Sequence, residues 1–479
     1  MMKSPLEQDI GGGITPAAQK PAELYQVASR WHLYTGLVVG PFLMVLALTG
    51  LIMMLSALTS GVNGELIPVK SEAGKAPVSL SVQEKTARQI LPHGSVIEVL
   101  VGQEQLNANV FAIEQPGVGT MMVAVNPFSP EVIRAWWQGD RLYDIAKSIH
   151  STLMLGTVGD IVLEVVAGFG VLLLISGCYL WWPHGGGLYA SFVPNFKRRG
   201  RGFWRELHQV IGVYSAAFIL LFLLSGMSWT GIWGGKFVQA WNTFPAEKWG
   251  MTFVNDDHHS SSDTERLSPV PWTLEQSPVP KSLSHHHRET VKASTALNIE
   301  GVNKVGIETG FGGRYRIKYP QSAEGVWTIS QDTMNGDAKN PFSDRTVHID
   351  QYSGDLLADI QFSQYPLGGK VMAVSIPLHM GLMGHANIAL NLLVCIAVLS
   401  LPAVGIYLWW KRTTRHPETQ LATNVLDTNK KLQSGKVVLW CVGVAFPMVG
   451  LSLIILWITD YFVVQKLKNA REKRLREIA

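Results

Sequence analysis

The sequence predicts an α-helical integral membrane protein with two α+β modules between its helices, organised as an internal two-fold repeat. Apolar residues make up 47% of the 479 residues, only 16% are charged, and the mean hydropathy is positive. Five apolar runs are long enough to cross a bilayer core, which takes about 20 helical residues. They lie roughly at 33–57, 160–182, 209–231, 386–410 and 437–463. We predict a core of four membrane helices, followed by a fifth.

Charge and cysteine content exclude other classes of protein. The net charge of +4 gives no indication of nucleic-acid binding, and we predict none. The three cysteines, Cys178, Cys395 and Cys441, lie in separate apolar runs. A disulfide framework or a thiolate metal site is therefore not expected.

Lysine and arginine in the connections predict the topology. The connections 184–207 and 412–435 are rich in both residues, and the positive-inside rule places them in the cytoplasm. The long segments 59–149 and 233–378 then lie outside, which in a bacterium is the periplasm. We predict a multi-pass protein of the bacterial inner membrane, surrounded by lipid.

The predicted segments alternate between membrane helices and the connections on either side. They are a cytoplasmic leader 1–28, helix 29–58, module 59–149, helix 150–183, cytoplasmic loop 184–207, helix 208–232, linker and module 233–378, helix 379–411, cytoplasmic loop 412–435, helix 436–464 and basic tail 465–479. One feature conflicts with the charge rule. If 436–464 spans the membrane, the basic tail lies outside, so this run is an exception or does not fully cross.

The two modules are predicted to share one order of elements. The first has a helix at Ser79–Leu91 and strands at Val96–Val101, Ala108–Glu114 and Thr120–Val125. The second is expected to have a helix at Glu289–Ala296 and strands at Lys304–Glu308, Arg314–Tyr319 and Val326–Ser330. The turn Asn126–Pro130 of the first corresponds to Asp350–Gly354 of the second.

Four histidines occupy matched positions in the two halves. His32 is followed by glycine after four and eighteen residues, and His208 shows the same spacing. His150 lies 31 residues before Trp181, and His379 lies 30 residues before Trp409, within similar Gly-x-Tyr-Leu-Trp-Trp sequences. A histidine within a membrane bundle is costly and marks function by default. The repeat therefore predicts that all four act together.

The four histidines are predicted to bind two b-type haems, each held by two imidazoles. The first and third helices start in the cytoplasm and the second and fourth start outside, so His32 pairs with His208 and His150 with His379. Such an iron has no open position and suits electron transfer. The glycines are expected beside the haems. Gly50 and Gly226, about 27 Å beyond their histidines, are assigned to the outer haem, and Gly36 and Gly212 to the inner haem.

Three further features belong to this prediction. Arg30 and Arg205 adjoin the inner ligands and are candidate partners of haem propionates, although membrane anchoring explains them equally well. His385 is an alternative outer ligand to His379. An unbroken helix from His150 to Trp181 would exceed the bilayer core, so a break near Gly156 or Gly159 is expected, or His150 lies at the interface.

The sequence resembles the PepSY-associated transmembrane family over roughly residues 25–412. The resemblance rests on the Arg-x-His and Arg-x-x-His openings, the two modules placed between pairs of helices, and the proline-rich stretch Pro271–Pro280. It implies PepSY-like periplasmic modules and similarity to di-haem reductases of ferric siderophores in the bacterial inner membrane. The implied activity is haem-dependent reduction of a periplasmic ferric siderophore, which releases Fe(II).

Two other functions remain open at this stage. The sequence contains no nucleotide-binding fingerprint, so a reductase would need a separate electron donor, a quinol or a cytoplasmic flavoprotein. One alternative keeps the haems and changes the acceptor to copper, a quinone or a redox protein. The histidine clusters His258–His259 and His285–His287 would favour a free metal ion. The other is a non-enzymatic membrane sensor or regulator, whose modules bind a partner.

Overall fold

The computed structural model describes residues 23–70, 76–102, 107–183, 191–242, 253–257, 270–282, 297–413, 433–459 and 461–462. Its helices are α1 (Glu23–Ser60), α2 (Leu80–Arg88), α3 (Leu142–Thr152), α4 (Gly156–Trp181), α5 (Arg201–Met227), α6 (Ala240–Asn242), α7 (Ile299–Glu308), α8 (Leu367–Met380), α9 (His385–Thr413), α10 (Gln433–Ala445) and α11 (Pro447–Thr459). Its strands are β1 (Ser95–Val101), β2 (Asn109–Gln115), β3 (Gly119–Val125), β4 (Val132–Trp137), β5 (Phe253–Asp257), β6 (Pro278–Pro280), β7 (Tyr315–Lys318), β8 (Val326–Gln331), β9 (Arg345–Asp350) and β10 (Leu356–Gln361). A π-helical segment, Gly231–Gln239, links α5 to α6.

Four helices form the membrane bundle. Within the described residues, α1, α4, α5 and α9 are the helices long and apolar enough to cross a membrane. They pack in a ring in which α1 contacts α4 and α9, and α5 contacts the same two helices. A Cβ atom on Gly40 of α1 would lie only 2.9 Å from Cβ of Pro402 on α9, so glycine permits this close crossing. The chain is a multi-pass α-helical membrane protein.

The two modules form one antiparallel sheet. Eight strands follow the order β10-β9-β8-β7-β1-β2-β3-β4, and β1 pairs with β7 where the modules meet. Each module thus contributes four consecutive strands, with its first strand at the centre. The predicted strands of the first module are confirmed to within about two residues. We call the end of the bundle that carries this sheet the sheet side, and the opposite end the loop side.

The short helices α2 and α7 pack on one face of the sheet and share an apolar core with it. The other face of the sheet carries buried charged residues. The core contains Phe111 and Ile317 from the sheet and Val302 from α7, each fully buried. On the other face, Arg316 is 1% exposed and pairs with Asp337 at 2.7 Å and with Glu98 at 3.0 Å. These ion pairs join β1, β7 and the loop after β8.

The second module departs from its predicted element boundaries. Its helix is α7, and Lys304–Glu308, predicted as a strand, forms the last turns of that helix. The side chain of Asn298 caps the helix by accepting from the N–H of Gly301, and Ile299, Val302 and Gly306 are buried at helical spacing. The β-branched residues in this stretch favoured a strand in the sequence, but the cap and the buried face make it helical. The range 289–296 lies outside the described residues.

The fifth apolar run, predicted as one helix at 436–464, is divided in the structure. The helices α10 and α11 meet at Phe446, and within the described residues each is shorter than the four spanning helices. A Cβ on Gly450 would lie 2.5 Å from the carbonyl oxygen of Gly443, so the two arms fold back against each other. Phe446 and Val449, at the tip, are buried against Gly168 near the middle of α4. The prediction erred because hydropathy measures composition and does not detect a bend before Pro447.

Candidate functional site

A continuous cavity of about 1200 Å³ runs through the bundle between α1, α4, α5 and α9. It exceeds the roughly 300–1,000 Å³ typical of a pocket for one small molecule. All four predicted histidines line it, and so do the four glycines assigned to the cofactor sites: Gly36, Gly50, Gly212 and Gly226. The cavity is therefore large enough for more than one bound group, and its walls contain the residues that the repeat singled out.

The histidines face each other in two pairs across this cavity. The ring centroids of His32 and His208, the loop-side pair, are 6.3 Å apart with an interplanar angle of 89°. Those of His150 and His379, the sheet-side pair, are 6.2 Å apart at 80°. Two imidazoles on one metal, with bonds of about 2.0 Å and ring centroids roughly 1.1 Å beyond the nitrogens, would be about 6.2 Å apart. Both pairs have the spacing of axial ligands to one shared ion.

Hydroxyl groups determine the tautomer of three of these histidines. The Nδ1 atoms of His32, His150 and His379 lie 2.8–3.0 Å from a serine or threonine oxygen. Those oxygens belong to Ser176, Thr49 and Ser225 respectively. Each hydroxyl donates its single proton to the carbonyl four residues earlier in its own helix, at 2.7–2.8 Å. With its proton on that carbonyl, each hydroxyl is placed to accept from Nδ1–H, and this tautomer keeps a lone pair on Nε2, the arrangement that a metal-binding imidazole needs.

A glycine gives each ring access to the neighbouring helix. A Cβ on Gly50 would lie 3.3 Å from Cε1 of His150, and one on Gly226 would lie 3.4 Å from Cε1 of His379. These two glycines thus contact the histidine rings themselves, whereas the sequence assigned them to the space beside a porphyrin. Gly177 and Gly405 contact His32 and His208 in the same way, and sequence reasoning missed this function.

The remaining two glycines lie beside the cavity. A Cβ on Gly36 would meet Leu173 at 3.6 Å, and one on Gly212 would meet Leu401 at 3.8 Å, both ordinary contacts. They leave room near the loop-side pair, where the sequence assigned them.

The sheet-side histidines sit on short helices that end at sharp bends. His150 lies in the last turn of α3, after which Leu153 and Met154 adopt positive φ angles of 51° and 58° before α4 begins. His379 lies in the last turn of α8, which ends at Gly381 with a φ of 80°. The expected break thus occurs just before Gly156, and the second half has a corresponding break at Gly381.

Asparagines complete the bend between α8 and α9. A helix end leaves backbone carbonyls without partners. The amide of Asn391 donates to the carbonyls of Leu378 and His379 at 2.9 and 2.8 Å, and Asn387 donates to Leu378 at 2.8 Å. These bonds fix the backbone that carries His379.

The predicted arginines separate in the structure. Arg205, one turn before His208, lines the loop-side end of the cavity together with Arg201 and Arg412, whereas Arg30 lies outside the lining. Lys147, one turn before His150, lines the sheet-side end and was missed. Its position relative to His150 equals that of Arg205 relative to His208, a signal that the sequence contained. Both cations would be able to pair with a carboxylate such as a haem propionate.

The other histidines do not reach this site in the described part of the chain. His385 is exposed at the start of α9 and does not line the cavity, so the structure does not support it as an alternative to His379. The clusters His258–His259 and His285–His287 lie outside the described residues.

A segment of the second module covers the sheet-side pair. We call residues 271–277 the cap segment; it lies within Pro271–Pro280, the stretch that carried the resemblance. Trp272 is 2% exposed, and its Nε1 donates to the carbonyl of Ser228 at 2.9 Å. Glu275 lines the cavity and accepts from Gln239 at 2.6 Å. Burial raises the pKa of Glu275 to about 7, although the hydrogen bond from Gln239 opposes this shift.

The donor set fits haem better than a bare metal ion. Among the described residues, no three His, Cys, Asp or Glu side chains come together as a metal site. Each pair offers two neutral nitrogens across an apolar gap, so the other ligands of an iron must come from the bound group itself. A tetrapyrrole supplies four nitrogens in the plane between two imidazoles. The residues present therefore fit a b-type haem at each pair.

Spanning helices, an extramembrane sheet and helices buried against it define an α-helical membrane protein with α+β modules. The chain matches the family described as the PepSY-associated TM region over residues 29–412, and it belongs to that family. The resemblance inferred from the sequence is thereby confirmed at the level of the family. None of the curated proteins compared with the chain matches it.

Proposed function

We propose that the protein is a di-haem oxidoreductase that passes electrons across the bacterial inner membrane. The observation that carries the proposal is the pair of histidine distances, 6.3 and 6.2 Å, at opposite ends of one cavity. His32 and His208 would hold one b-type haem and His150 and His379 the other, and each haem would supply one-electron chemistry. The proposal treats the two halves of the chain as an internal repeat that duplicated this site.

The chain's own residues orient the two sites. The hydroxyls of Thr49, Ser176 and Ser225 contact Nδ1 of three histidines, so Nε2 of each of these rings is left for the haem iron. Arg205 at the loop-side end and Lys147 at the sheet-side end each lie three residues before a histidine of that pair. The spacing of 18 residues between His32 and Gly50, which contacts His150, puts the two ends roughly 27 Å apart along α1. This arrangement supports electron transfer between the two faces of a membrane.

The basic connections support the direction of transfer. Positively charged residues gather in cytoplasmic loops, and Arg198, Arg199 and Arg201 lie on the loop side next to α5. The loop side would then face the cytoplasm and the sheet the periplasm. Electrons would enter near the arginine-lined end of the cavity, from a quinol or a cytoplasmic flavoprotein, and leave near the cap segment.

The proposed acceptor is a periplasmic ferric siderophore. The family resemblance suggests this substrate, and the position of the modules supports an extracytoplasmic acceptor. Met334 and Asn335, from the loop after β8, line the sheet-side end of the cavity beside Glu275 and Gln276 of the cap segment. Reduction of Fe(III) to Fe(II) weakens its binding to hard oxygen ligands, because the lower charge attracts them less. Iron release follows from that loss of affinity.

Absorption spectra of detergent-purified protein test this proposal. We expect two b-type haems per chain by pyridine haemochrome analysis, and one after His208→Ala or His379→Ala. His385→Ala is the matched control, because His385 is exposed outside the cavity, and it should keep both. A wild-type protein without haem would support a non-enzymatic sensor and overturn the reductase.

The acceptor needs a separate measurement. Dithionite-reduced protein, freed of excess reductant, should be reoxidised by a ferric siderophore with capture of Fe(II) by a chromogenic chelator. Cupric ion and a soluble quinone analogue are the competing acceptors. Faster reoxidation by either would replace the siderophore as substrate while leaving the two haem sites intact.

A further inference from the structure

Each of the four histidines contacts a glycine on the neighbouring helix, and at three of the four sites a hydroxyl residue precedes that glycine. Each ring rests on a glycine: Gly50, Gly177, Gly226 or Gly405. The residue before the glycine is Thr49, Ser176 and Ser225 at the first three sites, and its hydroxyl accepts from the imidazole. At the fourth site that residue is Val404. The helix facing His208 therefore lacks the hydroxyl that the other three present.

The consequence is visible at His208 itself. Its Nδ1 atom is buried without a hydrogen-bond partner among the described residues. The carbonyl of Leu401, four residues before Gly405, interacts with the ring, but no hydroxyl among the described residues does. His32, across the cavity, faces the equivalent carbonyl of Leu173 and has the Ser176 hydroxyl in addition. The loop-side pair is thus asymmetric, whereas both members of the sheet-side pair are hydrogen-bonded.

We propose that the residue at this hydroxyl position sets the midpoint potential of each site. Because of Val404, His208 would be the least basic of the four imidazole ligands. The proposal rests on the haem-binding function proposed above. An acceptor on Nδ1–H raises the basicity of an imidazole. A more basic ligand stabilises the ferric state and lowers the midpoint potential. Thr49, Ser176 and Ser225 are accordingly positioning residues that lower the midpoint potential. Val404, which offers no hydroxyl, raises the midpoint potential of the loop-side site.

Valine and threonine have nearly the same shape, which gives a clean test. In Val404→Thr the new hydroxyl can donate to the carbonyl of Ser400, as Thr49 does to Val45, and accept from His208. We expect the equilibrium constant for reduction of the loop-side haem to fall roughly fivefold. This corresponds to a midpoint potential lower by about 40 mV for one electron. The loop-side potential is measured in a His379→Ala background, in which the sheet-side haem is absent. Thr49→Val is the reverse exchange and should raise the sheet-side potential, read in a His208→Ala background.

Ala403→Ser is the control, because Ala403 is exposed beside Val404 and lies outside the cavity lining. It adds a hydroxyl to the same helix and should shift neither potential. Opposite shifts in Val404→Thr and Thr49→Val, each confined to its own site, establish the inference. The inference is overturned if haem content is full and neither midpoint potential changes. It is also overturned if Ala403→Ser shifts the loop-side potential as much as Val404→Thr does. In both cases the proposed haem sites stand. Wild-type protein without haem would overturn both.

Discussion

The closest contact between a glycine and a histidine of the two pairs, Gly177 with His32, leads to a steric prediction at the loop-side pair. A Cβ on Gly177 would lie 3.1 Å from Cε1 of His32, whereas one on Gly405 would lie 3.9 Å from Cε1 of His208. Carbon atoms prefer about 3.5–4.0 Å. Gly177→Ala must therefore push the His32 ring towards His208 by about 0.4 Å. Gly405→Ala adds a methyl group at an ordinary contact distance.

The magnitude follows from the steric overlap. Overpacking of this kind costs about 1–3 kcal/mol. Alanine in a helix also gains roughly 0.5–1 kcal/mol over glycine, but this gain is the same with and without haem and leaves the affinity unchanged. Gly177→Ala should therefore weaken haem affinity at the loop-side pair roughly 5- to 150-fold. Gly405→Ala adds no overlap and should bind haem as tightly as the wild type.

Haem retention at each site is the measurement. Purified variants are mixed with an excess of an apo-haemoprotein scavenger, and the remaining haem is followed by absorption, with His379→Ala marking the loop-side signal. Gly177→Ala should lose this haem faster, and its sheet-side haem should leave at the wild-type rate. Equal losses in Gly177→Ala and Gly405→Ala, or loss from the sheet-side site, would refute the steric argument.

Three further predictions concern the supporting structure. In Gly159→Ala the new Cβ would overlap the carbonyl oxygen of Thr152, so we expect the bend before α4 to open and sheet-side haem to be lost, measured by haemochrome yield. Arg316→Met leaves two buried carboxylates without their cation, and thermal unfolding should show a loss of about 3–5 kcal/mol. Glu275 has a raised folded-state pKa of about 7, so it holds a proton that the unfolded chain releases above pH 4.5. Wild-type stability should therefore fall between pH 4.5 and 7 relative to Glu275→Gln, by up to about 3 kcal/mol, and unfolding at pH 5 and pH 8 would detect this difference.

The histidine positions were accessible to sequence reasoning because helix geometry is regular. Eighteen residues make five turns, so His32 and Gly50 lie on one face of α1 wherever that helix is placed. The partners across the bundle were not accessible in the same way. Ser176 contacts His32 because α4 packs beside α1, and no spacing within one helix encodes that contact.

The element boundaries show the same limit. Strands of the first module followed from alternation and turn residues, which are local signals. The fold-back between α10 and α11 depends on contact between Gly443 and Gly450 and on burial of Phe446 against α4. An apolar run that packs as a bent pair has the same composition as one that spans, so only tertiary structure distinguishes the two.

The hydrogen bonds of the histidines argue for ligands over structural residues. A structural histidine at membrane depth would satisfy both ring nitrogens with protein groups, because an unpaired polar atom there is costly. Here three Nδ1 atoms are bonded to hydroxyls, and within the described residues no group hydrogen-bonds an Nε2 atom of the four. The free nitrogens belong to rings that face each other at a ligand-to-ligand spacing. A regulator without a cofactor gives no reason for this geometry, whereas a bound iron between each pair accounts for both the spacing and the tautomer.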